Sequence, residues 1–293
     1  MNERLKESRT RGTLRFPFEL YPTYTLDKRI FVACHWQDEL EFIRVMKGKI
    51  ELYLDGIAYI VSTGEIVFIN PGQIHQLKGL TDDTMYYAYV FPMAALSFDQ
   101  RDVTQIQILE PILDRMIGFP TIITKRDTIY SSVLSIVDAV IDLNLHRYYL
   151  YELNTKIHLL ELICLLKKEN RFIPYFLPKQ TDICKKILTY IQKHFAEKLI
   201  ISDIAAEVGL SENYFSSFFT EHFRMGFVNY LTAYRIEQAC TLLETTDVSI
   251  TEIAMCVGFD SVSYFIQKFK SLKGITPNKY RNQNFNIVDN DRT

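Results

Sequence analysis

The sequence predicts an α+β fold of two domains: an N-terminal β-barrel with two following helices, and a C-terminal all-α domain with two helix-turn-helix units. Three observations support this prediction. Short apolar runs separated by turn residues fill 19–125, apolar residues then recur at helical spacing, and one helical pattern occurs twice within 181–283. A chain of 293 residues is long enough to bury two hydrophobic cores.

The N-terminal pattern is typical of a barrel or a sandwich. Segments 50–54 and 66–69 are rich in Ile, Val, Phe and Leu, and turn residues follow or separate them. Asp55-Gly56 lies between two apolar runs, a strong indication of a β-hairpin. Residues 1–18, which precede the barrel, are polar and basic, and we interpret them as an N-terminal arm.

Two amphipathic helices are predicted over 126–168, because apolar residues recur there every three or four positions. Their apolar faces can pack on the barrel or on a second copy of the chain, and a homodimer is the expectation that follows from the second possibility. Pro174 and Pro178 stand among charged residues and predict a linker over 169–180. A short tail over 284–293 ends the chain.

The C-terminal domain contains an internal repeat. The pattern from Ile201 to Leu210 matches that from Ile250 to Phe259 at an offset of 49 residues, and aromatic residues continue the match at an offset of 50. Each copy predicts a short helix with one apolar face, a glycine that ends it and a second helix, which is helix-turn-helix geometry. Ser249 has the spacing of a capping box in the second copy, where the first copy has Ile200.

The second helix of each unit presents residues that can read base edges in DNA. Asparagine and glutamine can pair with adenine, serine can bond to several base edges, and valine or isoleucine can contact a thymine methyl group. A bundle of short helices with a solvated face is the plain alternative, and the duplication of the unit disfavours it. The predicted base-contacting residues are Asn213, Ser216, Ser217, Val262, Ser263, Ile266 and Gln267.

Charge distinguishes the two units. The net charge of −2 gives no whole-chain reason to expect a nucleic-acid partner. Segment 197–260 holds three basic and ten acidic residues, whereas 261–288 holds five basic residues and no acidic one. We therefore expect Lys268 and Lys270 in the second unit to contact phosphate, with a solubilising surface as the alternative.

These residues resemble the AraC/XylS family of bacterial transcription regulators over roughly 181–283. The family pattern stands here as Asp203-Ile204-Ala205, Gly209-Leu210-Ser211, Arg235-Ile236, Gly258-Phe259, Ser263-Tyr264-Phe265, Thr276-Pro277 and Tyr280-Arg281. The resemblance implies two recognition helices in successive major-groove segments of double-stranded promoter DNA, with RNA polymerase as a partner and activation as the expected role. Two departures are Arg224, where the family usually has glycine, and Gln267, where arginine is common.

The N-terminal half resembles the two motifs of the cupin barrel. His35, Gln37 and Glu41 fit the first motif and His75 the second, but Gln37 stands where metal-binding cupins have a histidine. Because glutamine is a poor ligand for zinc or iron, we expect no metal and no cofactor, and we assign these four residues to effector binding. The resemblance implies a small-molecule effector, a sugar in arabinose-type regulators. The alternative is a metal-dependent cupin enzyme with a helical interaction domain.

Other features argue against a catalytic, secreted or membrane protein. The five cysteines form no CxxC pair, and neither a signal peptide nor an apolar stretch long enough to span a bilayer stands out. The sequence shows no Ser/His/Asp arrangement and no phosphate-binding glycine loop. We therefore expect a cytoplasmic protein that is not an enzyme and does not bind a membrane.

Overall fold

The structure is a computed structural model that describes residues 12, 13, 15–24, 30–178 and 180–282. The predicted tail 284–293 and residues 1–11 of the predicted arm lie outside the described residues. The strands are β1 (Glu19–Tyr24), β2 (Phe31–His35), β3 (Leu40–Lys47), β4 (Lys49–Leu54), β5 (Ile57–Ser62), β6 (Ile66–Ile69), β7 (His75–Gly79), β8 (Met85–Phe91), β9 (Ile117–Gly118), β10 (Ile122–Ile123) and β11 (Ile173–Pro174).

Two antiparallel sheets form the barrel. One has the strand order β1-β8-β3-β6-β10 and the other β2-β7-β4-β5, while β9 and β11 pair separately. The predicted hairpin is confirmed: β4 and β5 pair from Leu54–Ile57 outward, and Asp55 and Gly56 both have positive φ in the two-residue loop between them. Two positive φ values are what a type I′ turn requires, which is why Asp-Gly is favoured there.

The interior of the barrel is mainly aliphatic. Residues from both sheets, such as Ile43 and Val67 from one and Leu52 and Leu77 from the other, belong to one buried cluster. Alternation along β3 sends Phe42 to the opposite face of its sheet, where a second cluster of buried residues includes the helices that follow the barrel. Most of the barrel's large aromatic rings therefore pack outside the barrel interior.

The helical region predicted over 126–168 contains α2 (Tyr130–His146) and α3 (Tyr151–Lys168). A 3-10 turn over Met93–Leu96, a π-helical turn over Gln105–Leu109 and the short α1 (Glu110–Leu113) come before it, within the segment predicted as barrel. Val137 of α2 and Leu162 of α3 are buried against the outer face of the five-stranded sheet. The apolar faces of α2 and α3 thus pack largely within the chain. No helix in the described part of the chain is both long and apolar enough to cross a membrane.

The C-terminal domain consists of α4 (Thr181–His194), α5 (Ile201–Glu207), α6 (Glu212–Phe223), α7 (Phe227–Thr245), α8 (Ile250–Cys256) and α9 (Val262–Lys273). The repeat is confirmed, because α5 and α8 have 7 residues each and α6 and α9 have 12 each. The long helix α7 contributes to the cores of both units, with Tyr230 in the first and Ile236 in the second.

The short helices α5 and α8 have the capping residues that the sequence predicts. Gly209 and Gly258 have φ values of +73° and +88°, in the left-handed region that closes a helix without strain only at glycine. Ser249 and Glu252 form the predicted capping box at the start of α8, whereas Ile200 gives α5 no side-chain cap. The first unit therefore begins its first helix without the stabilisation that the second one has.

Candidate DNA interface and effector site

The outer face of α6 carries the residues predicted for the first unit. Asn213, Ser216 and Ser217 are all exposed, while Phe215 and Phe219 on the opposite face are fully buried. The Ser216 hydroxyl donates to the Glu212 carbonyl and the Ser217 hydroxyl to the Tyr214 carbonyl, at 3.3 and 2.9 Å. Each hydroxyl oxygen keeps its accepting capacity toward solvent.

The outer face of α9 carries the residues predicted for the second unit. Ser263, Ile266 and Gln267 are exposed, whereas Val262 is half-buried and packs partly against the core of the unit. Lys270 is exposed, and the Lys268 ammonium lies 5.4 Å from the centre of the Tyr264 ring. Six of the seven predicted base-contacting residues on α6 and α9 are therefore exposed, with Val262 as the exception.

Two of the five basic residues counted in 261–288 are engaged within the protein. The Lys273 ammonium lies 2.6 Å from a Glu237 carboxylate oxygen, and this ion pair raises the pKa of Lys273 against the opposing effect of burial. Arg281 donates to the Val248 carbonyl. In the described part of this segment, the basic side chains that can still contact phosphate are therefore Lys268, Lys270 and Lys279.

One pair of exposed side chains was not among the predicted contacts. Tyr214 on α6 and Tyr264 on α9 occupy the same position of the repeat, and both are exposed, at 55% and 44%. Each tyrosine stands directly before a fully buried phenylalanine, Phe215 or Phe265. Their recurrence at the offset of 50 is the sequence feature that could have identified them.

The four predicted effector-binding residues lie together at one end of the barrel interior. His35 of β2 and His75 of β7 are opposite each other in register, and their ring centres are 4.1 Å apart. Glu41 enters from β3, so that one ligand atom from each of these three residues lies within 4.8 Å of the others. The Gln37 amide nitrogen donates to Glu41 Oε2 at 2.8 Å.

The hydrogen bonds of the two histidines define the chemistry of the cluster. Nδ1 of His35 lies 2.9 Å from the Ala33 carbonyl oxygen and Nδ1 of His75 lies 3.1 Å from that of Gln73. A carbonyl oxygen can only accept, so each Nδ1 carries the proton and a neutral ring turns an accepting Nε2 toward the cluster. His75 Nε2 is buried and has no hydrogen-bond partner among the described residues, and Glu41 Oε2 lies 3.5 Å from it.

Two imidazole nitrogens and a carboxylate form a donor set that a divalent transition metal accepts. Backbone carbonyls that orient the rings through Nδ1 are the usual outer contacts of such ligands. The orphaned Nε2 of His75 therefore fits a metal as well as a hydrogen-bonding effector. A bound metal would supply Lewis-acid chemistry, with His35, Glu41 and His75 as its ligands.

The barrel packs directly against the first helix-turn-helix unit. Ala33, Cys34 and Ile74 of the barrel belong to the same buried cluster as residues of α4, α6 and α7. The Tyr53 hydroxyl donates to the Glu221 carbonyl at 3.1 Å, near the end of α6. Arg224, at φ +55° where the family usually has glycine, places its guanidinium 5.0 Å from the centre of the Tyr53 ring.

The comparisons with known proteins agree with this architecture. Residues 204–283 match the helix-turn-helix domain family and residues 30–91 the cupin domain family. The HTH-type transcriptional regulator YdeC of Bacillus subtilis is 26% identical over 291 residues, which cover 97% of this chain and 98% of YdeC. The HTH-type transcriptional regulator SAS0078 of Staphylococcus aureus is 38% identical over 112 residues, 38% of this chain and 15% of that protein.

A solved structure shares the fold over both domains. Apo ToxT from Vibrio cholerae superposes with a TM-score of 0.52 at 17% sequence identity, covering 93% of this chain and 98% of that one. The duplicated unit, the two domain matches and the full-length relative lead to one assignment. The chain has a cupin-type N-terminal domain and a C-terminal helix-turn-helix domain, the domain architecture of the AraC/XylS-type transcription regulators that it resembles.

Proposed function

We propose that this regulator responds to a small molecule and binds promoter DNA sequence-specifically through α6 and α9, which enter successive major-groove segments. The observation that carries the proposal is the duplicated unit. In each copy the second helix, α6 or α9, has an exposed polar face. Asn213, Ser216 and Ser217 in the first unit, and Val262, Ser263, Ile266 and Gln267 in the second, contact base edges. Lys268 and Lys270 contact phosphate, which adds affinity without sequence preference.

The effector binds at the cluster of His35, Gln37, Glu41 and His75. The cluster lies beside the junction of the domains, because His35 directly follows Cys34, which packs with α7 in one buried cluster. A ligand that binds one arrangement of the junction more tightly shifts the population toward it. A carbohydrate is the effector class that the family resemblance suggests, and it is the first class to test.

The homodimer forms through the outer surface of α3 and the turn before it. Four apolar side chains are exposed there, namely Tyr149 (91%), Leu150, Leu153 and Ile157. Exposed apolar patches of this kind mark protein–protein interfaces. A dimer would place two copies of the DNA-binding domain on one promoter, where contact with RNA polymerase activates transcription.

Genomic footprinting with the purified protein tests the proposal. We expect protected sites with two segments about one helical turn apart, as two recognition helices in successive major-groove segments require. Adding candidate sugars should change the protection pattern, and Asn213→Ala with Gln267→Ala should abolish it. The absence of any protected site, with the protein folded, would contradict the proposal.

A metal-dependent enzyme is the second candidate, and it rests on the convergence of His35, Glu41 and His75. The metal content of the purified protein distinguishes the two. A stoichiometric transition metal together with no protection of any DNA supports the enzyme. Protected DNA sites and substoichiometric metal support the regulator with a hydrogen-bonded effector.

A further inference from the structure

The two helix-turn-helix units touch each other at a second place besides the helix α7 that they share. The loop after α4, in the first unit, lies against the turn between α8 and α9, in the second. Phe195, at the start of that loop, packs against the buried clusters of both units. We call this place the inter-unit contact, and its residues are Phe195, Ala196, Glu197, Arg235, Gly258 and Phe259.

Arg235 on α7 connects the loop to the turn. Its Nε donates to the Phe195 carbonyl oxygen at 2.7 Å, and its Nη2 donates to the Glu197 carbonyl oxygen at 2.8 Å. The guanidinium carbon also lies 5.9 Å from the centre of the Phe259 ring in the second unit. A guanidinium stays charged in proteins and directs its N–H groups in one plane, so these two hydrogen bonds are charge-assisted and fixed in direction.

Gly258 lets the backbones of the two units come close together. A β-carbon at this position would lie 2.8 Å from the Ala196 carbonyl oxygen and 2.9 Å from both Ala196 Cα and Arg235 Nη2. Non-bonded carbon atoms are normally about 3.5–4.0 Å apart, so the loop or the turn would have to move. Gly209 holds the same repeat position in the first unit, and a β-carbon there would meet nothing within 4 Å. The close approach is therefore specific to Gly258.

The relative placement of α6 and α9 matters for DNA because both helices must enter their groove segments at the same time. One base pair added between two contacted segments separates them by about 3.4 Å and rotates one about the other by roughly 35°. The shared helix α7 is one connection between the units, and long helices bend. The inter-unit contact is a second connection, and two connections oppose relative rotation of the units better than one does.

We propose that the inter-unit contact fixes the separation of α6 and α9 and so determines which spacing between two DNA segments the protein accepts. Arg235 and Gly258 are positioning residues for this specificity. The exposed residues of α6 and α9 decide which bases are preferred, and the inter-unit contact decides how far apart the two segments are read. This inference rests on the proposed function, which is DNA binding through both helices.

Spin labels test the positioning without DNA. Thr220→Cys on α6 and Lys270→Cys on α9 occupy the same repeat position and are exposed, and the exposed native Cys164 and Cys256 are replaced by serine. Double electron–electron resonance on the full chain then measures the distribution of distances between the two labels. We expect a distribution about twice as broad in Arg235→Met and in Gly258→Ala as in the otherwise unaltered chain, because the units then populate more than one arrangement.

Gly209→Ala is the matched control for Gly258→Ala. Both glycines have positive φ, at +73° and +88°, so alanine strains the backbone similarly at the two positions. Only Gly258→Ala also displaces the inter-unit contact. Gly209→Ala should therefore lower the melting temperature but keep the narrow distance distribution, which separates positioning from a general loss of stability.

DNA selection without spin labels tests the consequence for spacing. The full chain selects its site from a pool of random duplexes, and the selected duplex is then lengthened or shortened by one base pair between its two contacted segments. We expect the unaltered protein to lose about tenfold in affinity, as it would for a mismatched base pair. Arg235→Met and Gly258→Ala should lose only about threefold or less, and Gly209→Ala about as much as the unaltered protein.

The outcomes are separable. If Arg235→Met and Gly258→Ala, both folded by their melting curves, keep the narrow distance distribution, α7 alone holds the units and the proposal is overturned. An unchanged preference for one spacing in both variants overturns it as well. If Arg235→Met does not fold, Gly258→Ala against Gly209→Ala decides. A chain that selects no DNA contradicts the proposed function, whereas the label distances still decide whether the inter-unit contact positions the helices.

Discussion

The hydroxyl of Tyr230 in α7 donates a 2.6 Å hydrogen bond to the carbonyl oxygen of Cys34 in β2. Cys34 directly precedes His35 of the histidine cluster, and Tyr230 belongs to the core of the first helix-turn-helix unit. Both residues are buried, and burial raises the pKa of the Tyr230 hydroxyl, which therefore stays protonated as the donor. This bond joins the barrel to the C-terminal helix-turn-helix domain.

Tyr230→Phe removes that bond and leaves the buried Cys34 carbonyl without it. We expect the free energy of unfolding in urea to fall by about 1–3 kcal/mol, the cost of an unsatisfied buried polar group. Tyr280→Phe is the matched control, because Tyr280 holds the same repeat position but donates to Glu244 within its own domain. If both variants bind DNA with the same effector dependence as the unaltered protein, the bond does not couple the domains.

Lys270→Ala should weaken binding to all DNA sequences alike, because we expect this exposed lysine on α9 to contact phosphate and not bases. The slope of log affinity against log salt concentration should fall by about 0.9 for one lost contact. Lys273→Met is the contrasting change. It removes the partner of Glu237 and should lower the free energy of unfolding by about 3 kcal/mol, with the salt slope retained. An unchanged slope for Lys270→Ala would contradict the phosphate assignment.

Gln267→Arg should change which base is preferred under α9. Glutamine pairs with adenine and arginine with guanine, so the preference should shift by about 1–3 kcal/mol at one base pair. Binding to a footprinted site and to its variants at each position measures the shift. Gln100→Arg, at an exposed position of the N-terminal half, serves as the control. A uniform change at every position would indicate added charge and not base recognition.

Arg224→Gly tests the arginine that takes a left-handed conformation at the end of α6. Glycine relieves about 1 kcal/mol of backbone strain, while the lost contact with Tyr53 costs about the same, so we expect little net change in stability. Gly274→Ala, at the equivalent end of α9, should destabilise by about 1 kcal/mol because φ is +82° there. A large loss of stability in Arg224→Gly would mean that the contact between Arg224 and Tyr53 stabilises the junction by more than the backbone strain costs.

Ser249→Ala removes the capping box of α8, and its effect should depend on pH. Hydrogen bonds from the Ser249 side chain and backbone lower the pKa of Glu252 in the folded protein. Because the pKa of Glu252 is lower in the folded protein than in the unfolded chain, its carboxylate contributes fully to stability at pH values above the unfolded-state pKa. That contribution is lost as the pH falls through the folded-state pKa. Thermal melting should therefore show a loss for the variant at neutral pH that shrinks under acidic conditions. A loss of melting temperature that stays constant across this pH range would show that the Glu252 carboxylate does not contribute to the cap.

Local sequence patterns by themselves determined much of this protein. The Asp55-Gly56 hairpin, the two helix-turn-helix units and the contrast between Ser249 and Ile200 as helix starts were all predicted, because turn conformation, helix periodicity and capping depend on neighbours within a few residues. The resemblance to the two cupin motifs also implied the convergence of His35, Glu41 and His75, and the fold brings these three residues together.

Only the tertiary structure decided the roles that depend on distant partners. The sequence places Lys273 among the five basic residues of 261–288, and only the fold pairs it with Glu237. In the same way, the sequence shows Arg224 only as a departure from the family's glycine, and the fold brings its guanidinium to Tyr53. The hydrogen bonds of Arg235 to the Phe195 and Glu197 carbonyls join segments far apart in the chain. Charge and hydrogen-bonding groups act through space over a few ångströms, and sequence order does not specify which of them come that close.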